Sequence, residues 1–352
     1  MKLCRLSELK EGDRLARAVL GFDYQVLLSG KTVLTADYIE KLADLGINEV
    51  YVYDGDVCLD AATELLVKHE VSTLFHEKVK NIMEKHVYSR NSKLQELANA
   101  AEEIVVNVME EIDVVDHMYE IRERGADLYE HSISLCTLAT LVSLKLRLDR
   151  KTIRDVSIAC LLHDIGLRYM SFECSSRSVD EYNPVEAAEY YKHPIYGYTS
   201  LKDEKWISDI GKSIILYHHE HIDGSGFPLK MKESPLEAQI VAVCDAFDEM
   251  VCGICQKRLK VHEAIDSLRK HRGVRYNEII VNILLEYLAT YPLGTIVVTN
   301  AGETGMVIRQ NRGYSDRPAL RIIKDGQGNA LDEEVILDLK KAREFYITDV
   351  LD

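Results

Sequence analysis

The spacing of apolar positions changes character twice along the chain. Over residues 1–60, the short runs "RAVLGF", "QVLLSG" and "EVYVYD" read as strands, with one small helix opened by Thr35 and stopped by Gly46. This predicts a compact α+β module. From 61 to 292 the spacing is helical: Leu94, Leu97, Ala101, Ile104, Val105, Val108 and Ile112 form one stripe, suited to core packing or to pairing with a second helix. After "YPLG" the pattern turns to the β-type runs "TIVVT", "GMVIRQ", "ALRIIK" and "FYITDVL", separated by Gly, Asn and Asp turns. Residues 293–352 therefore predict a small β-barrel or sheet, and the whole chain is mainly α with a small β-containing module at each end.

Within the helical part, several apolar segments meet histidine at their ends. His131 opens the run "SISLCTLATLVSL", and His163 with Asp164 closes "IRDVSIACLLHD". His193 is expected to end a helix whose entry is signalled by Asn183, Pro184 and Glu186, and His218 and His219 end "WISDIGKSIILYHH". Asp245 lies inside "LEAQIVAVCDAFDEM", opened by Ser234, Pro235 and Glu237, with Leu236, Ile240, Val243 and Phe247 on the core face. Each buried ring needs its own partner, and a buried carboxylate needs a cation or several donors. A metal satisfies many such groups at once, so the set predicts a metal centre; mixed imidazole and carboxylate ligation suits Fe, Mn or Zn. His69, His76, His86, His221, His262 and His271 read as surface residues.

Composition narrows the classes. With 352 residues, 47% hydrophobic and 29% charged, the chain can bury two or three cores. A net charge of −15 argues against a polynucleotide ligand, which clustered Lys and Arg would attract. No run approaches the roughly 18 apolar residues of a membrane span, and the charged start is unlike a signal peptide, so a cytoplasmic location is expected. The eight cysteines are scattered, which suits reduced thiols; the pair Cys252 and Cys255 has redox or metal spacing but lacks a preceding strand and a second pair.

The ordered motifs "EHS", "LLHDIG", "KHPIYGYTSL", "HHEHIDGSGFP" and "AVCDAFD" over roughly residues 125–290 resemble the HD-GYP family, a branch of the HD superfamily of metal-dependent phosphohydrolases. The resemblance implies an all-helical domain that opens cyclic di-GMP, or a related cyclic dinucleotide, to a linear dinucleotide or to GMP by a metal-bridged hydroxide. It implies two or three ions, iron or manganese first, held by His131, His163, Asp164, His193, His218, His219 and Asp245. Asp164 would be the bridge and Asp127 the candidate for a third ion. Asp223, Gly224, Gly226, Phe227 and Pro228 match the signature loop, with Phe227 where tyrosine is usual, and Glu220 is expected to hold the outer nitrogens of the histidines.

Two stretches depart from the family pattern. Leu167 stands where a phosphate-facing lysine is usual, and Ile254 and Gln256 stand in the segment that usually carries an arginine and a tyrosine. Lys257 and Arg168 are the neighbouring cations that could replace them. Intact ligands favour a phosphodiesterase; the missing cations favour a metal-bound nucleotide sensor or interaction module. The end modules imply docking, regulation, or assembly as a homodimer or with a signalling partner.

Overall fold

The computed structural model describes residues 2–15, 19–20, 26–28, 32–45, 47, 49–52, 101, 105, 128–172, 177–311 and 313–351. Asp127, His69, His76, His86, Gly46 and most of the stripe around Leu94–Ile112 lie outside them. The chain divides into two compact units, Met1–Val114 with Asp149–Arg154, and Val115–Leu148 with Asp155–Asp352.

In the first unit β1 (Lys2–Arg5) pairs antiparallel with β4 (Glu49–Val52), and β2 (Val19–Leu20) with β3 (Val26–Leu28). Helix α1 (Ala36–Asp44) begins as expected, because the Thr35 hydroxyl accepts the otherwise orphaned amide of Tyr38. Leu15, Leu34, Leu42, Val50 and Val52 form the core of this unit.

The second unit is built around two helices that are apolar on nearly every side, α2 (Leu128–Lys145) and α7 (Leu236–Cys252). Such helices belong at the centre of a bundle. Around them run the part of α3 (Arg150–Leu162) from Asp155 onward, a 3₁₀ stretch (His163–Tyr169), α4 (Pro184–Tyr190), α5 (His193–Leu201), α6 (Asp209–Tyr217), α8 (Val261–His271) and α9 (Glu278–Tyr287). Between α2 and α3 buried polar groups pair: Thr140 and Ser157 hydroxyls lie 2.9 Å apart, and the Cys136 thiol donates to the Ser157 carbonyl.

Two helix starts differ from expectation. His193 does not end the helix that Asn183 opens. That helix stops at Tyr190, and His193 begins the next one with Pro194 in its first turn. Proline disfavours helical conformation in the residue before it and is well suited to a first turn, so "KHP" marks a break rather than an end. Helix α7 is preceded by Pro235 with no side-chain cap, and Leu236 on its first turn is 40% exposed, whereas Ile240, Val243 and Phe247 are buried.

The second unit also carries a five-stranded antiparallel sheet, in order β8-β7-β6-β5-β9, made of β5 (Ile296–Thr299), β6 (Thr304–Arg309), β7 (Ala319–Lys324), β8 (Ala330–Asp338) and β9 (Ile347–Leu351). Val297, Val307, Leu320, Ile322 and Leu339 fill its core. The sheet is tied to the helices by Lys260 Nζ donating to Val350 O at 3.0 Å and Gln310 Nε2 to Tyr291 O at 2.7 Å.

Candidate metal centre

Three of the histidines complete helix ends. The last carbonyls of a helix have no partner within it. His163 Nδ1 lies 2.8 Å from Cys160 O at the end of α3, His193 Nδ1 2.8 Å from Tyr190 O at the end of α4, and His218 Nδ1 2.9 Å from Ile215 O at the end of α6. A carbonyl only accepts, so each Nδ1 carries the proton and each Nε2 in a neutral ring keeps a lone pair. His131 is oriented differently, with Nδ1 donating to Asp248 Oδ2 at 2.7 Å while Ser134 Oγ donates to Asp248 Oδ1 at 2.6 Å.

The lone-pair nitrogens converge. His131 Nε2 and His163 Nε2 are 3.2 Å apart, and His193 Nε2 and His218 Nε2 are 3.3 Å apart. Asp164 faces both pairs, with Oδ2 3.3 Å from His163 Nε2 and Oδ1 3.2 Å from His193 Nε2. Asp245 Oδ1 stands 3.1 Å from His131 Nε2, and Oδ2 stands 3.6 Å from His219 Nδ1. All seven residues expected as ligands are thus brought together, in one group of Asp164, His193, His218 and His219 and another of His131, His163 and Asp245.

The donor set fits divalent transition ions. Two lone pairs facing each other at hydrogen-bond distance need a cation or proton between them. Asp164 Oδ1, Asp245 Oδ1 and His219 Nε2 are buried and accept no hydrogen bond, which is costly unless something else satisfies them. The electrostatics agree. Burial opposes charge on every group here, yet Asp164 and Asp245 raise His163 to about 9, and Asp245 and Asp248 carry His131 well above 6.5. Against burial, neighbouring histidines hold both aspartates below the usual carboxylate range. Burial first, then adjacent imidazoles, push His218 and His219 down. A cluster that draws protons onto some rings and expels them from others is prepared to exchange protons for cations.

The loop "DGSGFP" closes over one side of this cluster. Asp223 Oδ1 accepts from Ser225 N at 2.8 Å, and Gly224 has φ +79°, a conformation open to glycine. At Gly226 a Cβ would lie 2.4 Å from both His219 O and His221 N, so only glycine lets the loop touch the ligand segment. The Phe227 ring, which precedes Pro228, then stacks on His219 with centroids 4.5 Å apart. Glu220 does not hold the histidines' outer nitrogens: its carboxylate accepts from Leu229 N at 2.6 Å and Met231 N at 2.8 Å, fastening the far end of the loop. Helix-end carbonyls take the role expected of it. His221, His262 and His271 are half-buried rather than surface residues.

Leu167 and Ile254 are packed with Tyr182, Tyr190, Cys252 and Cys255 in a buried apolar cluster. Lys257 is exposed, and Arg168 donates to the Tyr129 hydroxyl. Cys252 and Cys255 are free thiols. Two neighbours of the centre are not read from the sequence, Asp248 and Glu249, and Cys252 is read there only as half of a spaced cysteine pair; they follow Asp245 at i+3, i+4 and i+7 on α7 and so share its face. That spacing was the available signal.

No described helix is long and apolar enough to cross a membrane. Residues 116–280 match the HD domain, and residues 296–352 match a KOW domain associated with HD domains. A cyclic di-GMP phosphodiesterase of Pseudomonas aeruginosa, PA4108, is 24% identical over 248 residues, which are 70% of this chain and 59% of the relative. A cyclic di-GMP phosphodiesterase of Thermotoga maritima is 26% identical, covering 65% of this chain and 66% of the relative. The chain therefore spans about three fifths to two thirds of the length of these relatives. Among solved structures, Bd1817, an HDG"Y"P protein of Bdellovibrio bacteriovorus, shares the fold with TM-score 0.52 and 18% identity, over 80% of this chain and 97% of that one. Residues 116–280 thus match the HD-domain family model, and the ordered motifs of that stretch are similar to those of the HD-GYP branch.

Proposed function

We propose that the chain is a metal-dependent phosphodiesterase that hydrolyses a cyclic dinucleotide, cyclic di-GMP or a close relative, to a linear dinucleotide or mononucleotide. The observation that carries this reading is the convergence of seven buried or nearly buried donors whose lone pairs face one another. The names of the Pseudomonas and Thermotoga relatives support the substrate class. His131, His163 and Asp245 would hold one ion and His193, His218 and His219 the other, with Asp164 facing both. Iron or manganese suits these donors, and zinc is compatible. When bound, such ions supply an activated water near neutral pH and polarise the phosphoryl oxygens.

The chain's own contribution is orientation. Three helix-end carbonyls and Asp248 fix the tautomer and direction of four rings, and Phe227 shields one face of a fifth. Lys257 and Arg168 are the cations proposed to meet the substrate phosphates. We assign residues 1–60 and the barrel-like 293–352 as accessory modules around a helical domain of 61–292, serving docking, regulation or dimer formation in the cytoplasm.

A second reading is favoured by one feature: Leu167 and Ile254 are apolar and buried. Each cation absent from a phosphate contact removes roughly 1.5–3 kcal/mol, about ten- to a hundredfold in affinity, and nucleotide sensing without turnover would survive that. Protein loaded with Mn²⁺, or with Fe²⁺ under reducing conditions, is to be incubated with cyclic di-GMP and with cyclic GMP-AMP. Linear product that disappears in His163→Ala and Asp164→Ala supports the enzyme, and binding without turnover supports the sensor. Neither binding nor turnover by fully loaded protein refutes both.

A further inference from the structure

The cluster of seven donors meets solvent along one edge. The side chains of Asp164 and His219 are 9% and 13% exposed, whereas those of His131, His163, His193, His218 and Asp245 are at most 1% exposed. A ligand therefore reaches the centre past Asp164 and His219. Beside that edge lies a series of aromatic rings. Phe227 stacks on His219 with centroids 4.5 Å apart, and Tyr191 meets Phe227 in a T-shaped contact at 4.9 Å. The buried Tyr190 supports both, 5.8 Å from Tyr191 and 5.9 Å from Phe227. The series ends at the surface, because Tyr191 is 43% exposed. Its position is fixed all the same: it follows the last residue of α4, and its amide donates to Ala187 O at 3.0 Å. An aromatic ring held in place with much of its surface in water is what a planar ligand needs to stack on.

We propose that Tyr191 is a stacking platform for one nucleobase of a cyclic dinucleotide whose phosphate lies at the metal centre. The proposal rests on the nucleotide-binding reading above and names the residue that takes the base. Two ring-to-ring steps, of 4.9 and 4.5 Å, separate Tyr191 from His219. A base joined to its phosphate through one ribose can span that gap. Every nucleobase has a π-face, so stacking supplies affinity for guanine and adenine alike. It does so without added charge, on a chain that has the buried apolar Leu167 and Ile254 where cations are usual.

Full-length protein loaded with Mn²⁺ is titrated with phosphorothioate analogues of cyclic di-GMP and cyclic GMP-AMP, which resist turnover, and its Mn²⁺ uptake is measured by calorimetry. Tyr191→Leu, which stays apolar but removes the ring, is expected to weaken each nucleotide that the wild type binds by about 5- to 150-fold, with Mn²⁺ uptake unchanged. Tyr191→Phe keeps the affinity. The indole introduced by Tyr191→Trp keeps it too, and its fluorescence is quenched by the bound base, read against the background of Trp206 in the wild type. Val185→Ala, which trims a 76% exposed apolar side chain on the same helix, binds like the wild type. Tyr191→Leu isotherms that superimpose on the wild type overturn the proposal. So do Tyr191→Phe isotherms as weak as those of Tyr191→Leu, which assign the contact to the hydroxyl, and reduced Mn²⁺ uptake by folded Tyr191→Leu, which assigns the ring to the metal ligands. Where Tyr191→Leu melts early, an unquenched indole overturns it instead. Each of these results removes the stacking site alone, whereas metal-loaded wild type that binds neither nucleotide removes the nucleotide reading and this site together.

Discussion

Gly166 lies two residues after Asp164 in the 3₁₀ stretch, where that stretch touches the start of α5. A methyl group built on it would fall 1.9 Å from His193 O, 2.7 Å from Gly197 N and 2.8 Å from His193 C. All three atoms are backbone, so no side chain can rotate away. Reaching even 3.0 Å from His193 O demands a retreat of about 1 Å by the segment that carries the His193 ring, overpacking that typically costs ~1–3 kcal/mol. Metal ligation tolerates distance errors of only about 0.2 Å, and His193 Nε2 stands 3.2 Å from Asp164 Oδ1 in the undisturbed structure. Gly166→Ala should therefore lose metal affinity by about 10- to 100-fold, on the scale of losing an orienting contact, and should lower the melting temperature by about 2–4 °C per kcal/mol. Gly211→Ala is the matched control, because there the methyl first meets the movable Ile207 Cγ2 at 3.1 Å. Calorimetric titration with Mn²⁺ and a thermal melt read both effects. A Gly166→Ala protein that binds metal and melts like the wild type would refute the packing argument.

Metal uptake should release protons. Metal-free His163, at about 9, and His131, also raised, are protonated at neutral pH and must deprotonate to bind. Apparent affinity should thus climb as pH rises toward 9, and binding enthalpy should differ between buffers of unlike ionisation enthalpy; identical enthalpies would contradict the assignment. The raised His163 value stabilises the metal-free fold fully below its unfolded value near 6.5 and is lost as pH rises through about 9. Across that window the melting point gained on adding metal should widen. Asp248→Asn, which keeps the shape but weakens the acceptor for His131 Nδ1, should reduce metal affinity by about 10- to 100-fold, and an unchanged Mn²⁺ isotherm would remove Asp248 from the centre.

Much of the centre was legible because its ligands interrupt apolar patterns. An imidazole or carboxylate at the end of "SIACLL" or inside "QIVAVCDAF" has few explanations, so the seven ligands could be picked out. What was not legible depends on neighbours distant in sequence. Asp248 and Glu249 look like the polar face of α7 until His131 and His219, which lie 117 and 30 positions earlier in the chain respectively, are folded against them. Leu167 could be read as a missing lysine, but not as part of a buried cluster with Ile254 and Tyr182. The β-runs after residue 293 were visible by alternation, except β8, whose "LDEEV" places three acids in succession where alternation should run. Strand β1 was missed because its four residues are too few to set a period.

The same geometry explains why helix ends and metal ligands coincide here. A helix that stops leaves carbonyls that need donors, and it leaves them at the negative end of its dipole. An imidazole placed one to three residues further on can donate Nδ1–H to such a carbonyl, as His163, His193 and His218 do. That bond ends the helix cleanly, fixes the tautomer, and makes Nε2 a stronger donor, all through backbone atoms that no side-chain substitution removes. Three of the rings are therefore anchored by the fold itself. His131, in the first turns of its helix rather than at an end, has no free carbonyl to use, and its orientation passes instead to Asp248 and Ser134. The rings built on helix termini yield only to substitutions that displace the backbone, as at Gly166, whereas the His131 ring yields also to substitution of the side chains that orient it, Asp248 and Ser134.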